Sequence, residues 1–178
     1  MDKMELSPVG FVHSEIKEPS LVARSGDLDW QNTDRRPSHS PESVSEIAIE
    51  PSYAGILDGI EDFSHLLVLY WAHLVEPEAR SLTRVHPMGR KDLPRVGVFS
   101  TCSPARPNPI LVIAVRLLER DGNILRVAGL DAVDGSPVLD IKPYLPSYYG
   151  MKDVKLSDWM NSILSEMEST NRNRTAGR

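Results

Sequence analysis

Cysteine is nearly absent. Cys102 stands alone in 178 residues, so the chain closes no disulfide on itself and cannot build a Cys-rich zinc site. The five histidines, His13, His39, His65, His73 and His86, lack H-E-x-x-H spacing, and no metal is expected. No apolar run approaches the ~20 residues of a membrane-spanning helix. The start MDKMELSPVGFVHSE has neither the basic opening nor the apolar core of a secretory signal, so a cytoplasmic protein with no membrane partner is expected. G-x-G-x-x-G and G-x-x-x-x-G-K-[ST] are missing, which leaves any nucleotide cofactor to be held by something other than a Rossmann turn or a P-loop. G-x-S-x-G is missing too, removing the hydrolases built on that nucleophile turn.

What the chain does have is the balance of a soluble globular domain, 40% hydrophobic and 25% charged, with length for one core of ordinary size. Its net charge of −5 does not mark the whole molecule as a nucleic-acid binder. The charge is unevenly spread, however. Arg80, Arg84, Arg90, Lys91, Arg95 and Arg106 face only Asp92 between positions 79 and 108, while Glu42, Glu46, Glu50, Asp58, Glu61 and Asp62 run without a cation. Each run reads either as a solvated face or, for the basic one, as a patch that meets an anionic substrate.

Along the chain, Ser7 to Ser14 reads as a first strand and Glu18 to Ser43 as a long loop. A loop beyond ~12 to 15 residues is expected to be functional or disordered. SEIAIEP alternates as a half-buried strand, Tyr53 to Leu57 suggests a helical turn, and His65 to Leu74 reads as a central strand buried on both faces. RVGVFST, ILVIAVRLLER and NILRVAGLDAV come next as strands, the last two joined at Asp121-Gly122-Asn123. After the turn Asp134-Gly135-Ser136-Pro137 comes a short strand with Val138, Asp140 and Lys142 on one face and Leu139 and Ile141 on the other. Leu156 to Met167 has the three- and four-residue apolar spacing of an amphipathic helix, ahead of a polar tail. The fold expected is mainly β, a closed antiparallel barrel over residues 1–146, with a C-terminal helix and tail over 147–178.

Within FSTCSPARPNPILV, three prolines frame Arg106 and Asn108. Proline fixes φ and biases the preceding residue to extended backbone. Arg106 is thus either a preorganised donor fork for a bound carboxylate or phosphate, or a clasp on neighbouring chain.

Four stretches in this order, SPVGFVHSEIKEP, GIEDFSHLLVLYWAH, GVFSTCSPARPNPI and DAVDGSPVLDIKPY, resemble the TsaA/TrmO-like family of S-adenosylmethionine-dependent methyltransferases. The likeness runs from about Leu6 to Pro146, and its last two motifs are specific. It implies a β-barrel methyltransferase of non-Rossmann type, working as a homodimer with S-adenosyl-L-methionine bound near the subunit interface. The activity implied is N6-methylation of the threonylcarbamoyl-modified adenosine beside the tRNA anticodon. Carried over residue by residue, the cofactor positions implied are Arg24, Ser25, Gly26, His73, Leu74, Cys102, Val112, Asp134, Gly135, Ser136 and Pro137, to which the framed Arg106 is added.

The chain departs from the family pattern in three places. Cys102 stands where the family commonly has arginine, Leu111-Val112-Ile113 replaces Gly-Leu-Ser, and only 32 residues follow Pro146, fewer than the additional domain of longer members needs. For the proton that must leave a carbamoyl-substituted N6, a nearby base is required. Asp140, Lys142 and Tyr144 are the candidates, Asp140 and Lys142 being also readable as a structural ion pair. Two further readings stay open: a methyltransferase of this fold acting on a small molecule or protein, and a non-catalytic module that binds cofactor or nucleic acid.

Overall fold

Alternation of apolar and polar residues decides the main sheet. In the computed structural model, which describes residues 4–24, 26–31, 40–53 and 55–175, the strands are β1 (Gly10–His13), β2 (Leu21–Arg24), β3 (Asp27–Trp30), β4 (Val44–Ile49), β5 (His65–Trp71), β6 (Arg84–Val85), β7 (Val96–Gly97), β8 (Ile110–Asp121), β9 (Ile124–Ala128) and β10 (Pro137–Pro143). Two helices complete the chain, α1 (Pro146–Tyr149) and α2 (Asp158–Thr175). Six strands close an antiparallel barrel in the order β1-β10-β5-β8-β9-β4, with β4 returning to β1. Closure leaves no open sheet edge.

Every barrel strand sends branched side chains inward. Val12, Ile47, Ile49, Leu66, Val68, Val115, Leu125, Val127 and Val138 form one buried cluster with Tyr70 and Leu130. Truncating one of these large core residues to alanine would cost about 2–5 kcal/mol.

Outside the barrel, the ribbons β2–β3 and β6–β7 enclose a second, smaller core of Leu28, Ala79, Val85, Val98 and Ala105. Gly89 closes the seam between them. Its φ is +65° and a Cβ there would lie 2.8 Å from the Leu28 carbonyl oxygen, so the chain can pass β3 at this distance only without a side chain.

Several expectations need correcting. The stretch 18–43 is not wholly loop, because Leu21–Arg24 and Asp27–Trp30 pair as a hairpin. β5 is buried on one face only: Leu66, Val68 and Tyr70 point in while Leu67, Leu69 and Trp71 stay half-exposed on the barrel's outside. RVGVFST is a strand for two residues before Val98–Ser100 turns into a 3-10 helix, so it pairs with β6 and not with the barrel. In β10 the register shifts between Val138 and Asp140. This bulge inverts the sidedness of the rest of the strand, so Val138 is in the core while Asp140 and Lys142 pair with the outward Leu69 and Leu67. The first strand is also shorter than Ser7 to Ser14. Helix α2 starts later than Leu156 and runs through the expected polar tail to Thr175.

Candidate functional site

The barrel end, the second core and α2 meet around a cavity of about 610 Å³, within the ~300–1,000 Å³ usual for small-molecule sites. β5 delivers Tyr70 and, just past its end, His73 and Leu74. The β2–β3 hairpin supplies Leu21, Ala23, Arg24 and Trp30, and the loop after the Val98–Ser100 turn supplies Thr101 to Ala105. α2 lines the cavity with Trp159, Met160, Ile163, Leu164 and Met167, of which Ile163 is buried. The wall is thus mostly apolar, with polar groups at a few fixed points.

Those points are held from behind. Ser136, 2% exposed, has its hydroxyl 3.3 Å from His73 Nδ1, which ties the end of β5 to the 134–137 turn. Gly135 in that turn has φ +77°, a left-handed conformation that a side chain would strain. Asp134 fixes the turn from its other side: its carboxylate accepts from the Ser14 amide at 3.0 Å and from Lys17 Nζ at 2.8 Å. Tyr70 donates its hydroxyl to the Asp131 carbonyl oxygen. Burial, reinforced by the Asp131 carboxylate, pushes its phenol above the usual range, so Tyr70 stays protonated and is a donor, not a base.

The hairpin is pinned by a partly buried carboxylate. Asp27 receives the His86 amide at 2.8 Å, His86 Nδ1 at 2.5 Å, the Leu28 amide at 2.8 Å, and the Lys91 ammonium. Burial alone would raise its pKa, but these donors outweigh it and hold the carboxyl well below the ordinary range. Arg24, at the hairpin's end, reaches Gln31 Oε1 at 3.1 Å and lies 3.6 Å from Asp29.

The model of the tRNA-methyltransferase O N-terminal domain matches residues 25–149. The chain belongs to this family. It is the S-adenosylmethionine-dependent methyltransferase family that the four motifs resembled. A "probable S-adenosyl-L-methionine-binding protein" of Methanothermobacter thermautotrophicus is 46% identical over 142 residues, covering 80% of this chain and 90% of the relative. A "tRNA (adenine(37)-N6)-methyltransferase" of Escherichia coli is 33% identical over 174 residues, 94% of this chain and 68% of the relative. TrmO of Pseudomonas aeruginosa, a solved structure, aligns with TM-score 0.63 and 26% identity over 88% of this chain. The chain spans 64% of that longer one.

Of the residues that family membership singles out, the structure brings Arg24, His73, Leu74, Cys102 and Ser136 to the one cavity. They come from four separate segments, which no local pattern could have joined. Gly26, Gly135 and Pro137 lie in or beside the turns that present them, while Ser25 lies outside the described residues. Arg106 does not line the cavity. Its Nε and Nη2 donate to the carbonyls of Ser103 and Thr101 at 2.9 and 2.8 Å, so it clasps its own loop. Val112 is 61% exposed on the outer face of β8. Asp140 and Lys142 form an ion pair of 2.5 Å on that same outer face, and Tyr144 stacks on Tyr149 with ring centroids 5.6 Å apart. None of these last three lines the cavity.

Sequence reasoning missed the α2 wall, Trp30, Glu76 and Tyr70. The apolar spacing of α2 was legible, but it said only that one face is buried, not that this face lines a cavity.

The cavity fits the family's cofactor. It offers apolar cover for the cofactor's methylene arm, with Arg24 and Glu76 in the lining as a guanidinium and a carboxylate of opposite charge to its carboxylate and ammonium. Among the described residues no group of three or more potential ligands for a metal ion occurs, and no helix is long and apolar enough to cross a membrane.

Proposed function

We propose that this chain is a methyltransferase that methylates N6 of an adenosine in tRNA, with the threonylcarbamoyl-modified adenosine beside the anticodon as acceptor. It works as a homodimer in the cytoplasm. The observation that carries this reading is the convergence of Arg24, His73, Leu74, Cys102 and Ser136, from four segments, on one cavity of about 610 Å³.

When bound, S-adenosylmethionine supplies an electrophilic methyl on a sulfonium. The chain's contribution is largely positioning and exclusion of water. Arg24 would hold the cofactor's carboxylate and Glu76 its ammonium. The apolar residues of α2 shut solvent from the reacting centre. The N6 proton needs an acceptor, and of the groups lining the cavity His73, Glu76 and Asp131 have that capacity, whereas Tyr70 does not. The hydroxyl of Ser136 sets the orientation of the His73 ring.

Calorimetric titration with S-adenosylmethionine, followed by methylation assays on tRNA with and without the threonylcarbamoyl group, tests the proposal. Saturable binding near one site per chain and methyl transfer to the modified tRNA are expected. Transfer to tRNA should weaken steeply as salt rises, because phosphate contacts release counterions. The net charge of −5 and the replacement at Cys102 favour the second reading, a small-molecule or protein acceptor, and salt-independent turnover would support it instead.

A further inference from the structure

Phe99 is 79% exposed, although its neighbour Val98 is buried in the second core. An aromatic ring left in water forgoes roughly 1.5–3 kcal/mol of burial, so folding alone does not explain its place. Nor is it on a slack segment. Thr101 donates its amide and its hydroxyl to the Val98 carbonyl at 3.1 and 2.8 Å. The Ser103 amide donates to Thr101 Oγ1 at 3.2 Å and the Ala105 amide to Ser103 Oγ at 3.1 Å. Arg106 then clasps both the Thr101 and Ser103 carbonyls from between two prolines. The stiff loop therefore presents a ring to solvent, two residues from Thr101 in the cavity wall.

The surroundings of the ring are cationic. The Arg106 guanidinium carbon sits 5.9 Å from the Phe99 ring centroid, and its Nη1 is not used in the clasp. Immediately before Phe99, the β6–β7 ribbon pairs Arg84 with Gly97. Arg84 donates to the Arg95 carbonyl at 2.7 Å, and Arg95 to the carbonyls of Gly26 and Arg84 at 3.2 and 3.3 Å. These three guanidiniums are oriented by carbonyl oxygens, and among the described residues none forms an ion pair with a carboxylate.

An adenine whose N6 must reach into this cavity has to leave its stack, and its neighbour then loses a stacking partner. Unstacked bases are held on aromatic rings and guanidinium planes. Resting on the reading of an RNA substrate, we propose that Phe99, backed by Arg106, stacks on the base adjacent to the target adenosine, and that Arg84 and Arg95 take the phosphates beside it.

The test uses the full chain and a synthetic anticodon stem-loop RNA with 2-aminopurine next to the target adenosine. Wild type should change the probe's fluorescence on binding. Phe99→Leu should bind the RNA ~10- to 100-fold more weakly and leave the fluorescence unchanged, while Phe99→Trp restores both. Thermal stability and S-adenosylmethionine affinity should stay at wild-type values, because the ring is exposed. Wild-type RNA binding by Phe99→Leu overturns the stacking role and leaves the RNA reading intact. So does a loss of affinity that accompanies conversion of the oligomer to monomers in sedimentation, which would make the ring a contact between copies. A wild-type protein that neither binds nor methylates the RNA removes the RNA reading and this proposal together.

Discussion

Asp27 shows how one residue sets the shape of a site it does not line. Its side chain is 14% exposed, and it joins the hairpin that forms one cavity wall to the segment bearing His86 and Lys91. Removing its charge while keeping its size leaves a partly buried imidazole and a largely exposed ammonium without their partner, at a cost of about 1 kcal/mol. The folded protein holds this carboxyl below its ordinary pKa of 3.8. The stability it contributes is therefore present in full above that value and is lost as pH falls below it. Asp27→Asn should lower wild-type stability at pH 7 and flatten the loss seen in urea titrations on going from pH 5 to pH 3. An acid limb as steep in the variant as in wild type would show that Asp27 is not the group responsible. The same residue scale explains what the sequence hid about Arg106. Its proline frame was legible, but whether the fork faces a ligand or its own carbonyls depends on how the loop curls back, which the spacing of prolines does not specify.

At the scale of elements, the barrel was legible from branched residues that alternate, as Ile47 and Ile49 do in β4, and from the apolar run His65 to Leu74, whose one-sided burial in β5 the run itself did not show. The β2–β3 hairpin was not, because Leu21, Ala23, Leu28 and Trp30 alternate over only four residues per strand amid polar and proline-rich sequence. The bulge after Val138 was invisible for a different reason: a single unpaired residue moves Asp140 and Lys142 to the outer face without altering the local pattern. Helix α2 depends on tertiary contacts that amphipathicity alone cannot assign. It is latched by Arg90, 16% exposed, whose guanidinium spans Asp92 Oδ2 at 2.6 Å and Glu166 Oε2 at 2.5 Å. The Asp92 and then the Glu166 carboxylate hold that guanidinium still more firmly protonated than usual. Arg90→Met keeps the aliphatic stem and removes the fork, costing about 1 kcal/mol, or roughly 2–4 °C in Tm for a chain of this size. Faster hydrogen exchange confined to α2 and weaker S-adenosylmethionine binding are expected. Unchanged exchange in α2 would mean that its apolar face, not Arg90, holds it down.

For the whole molecule, the outer face of the barrel accounts for residues that the cavity does not use. In-register neighbours point the same way, so Asp140, Leu69 and Val112 form one row across β10, β5 and β8, with Lys142, Leu67 and Ala114 in the next row out of contact with the core. Leu67, Leu69, Trp71 and Val112 together make an apolar strip flanked by an ion pair, the composition of an interface centre with a polar rim. The family resemblance puts Val112 at the cofactor and the cofactor near the subunit interface, yet Val112 is turned away from its own chain's cavity. Both hold if a second copy packs on this strip and brings Val112, and with it Asp140, towards the neighbouring site. Val112→Glu places a charge at the centre of the strip without touching the core, so the chain should fold with unchanged Tm at low concentration. In sedimentation equilibrium, wild type should run as a dimer and the variant as a monomer, and the variant's affinity for S-adenosylmethionine should fall ~10-fold or more, as expected when a half-built site loses contacts worth about 1.4 kcal/mol. A variant that remains dimeric would move the interface elsewhere, whereas a monomer with full cofactor affinity would show that each chain's cavity is complete without its partner.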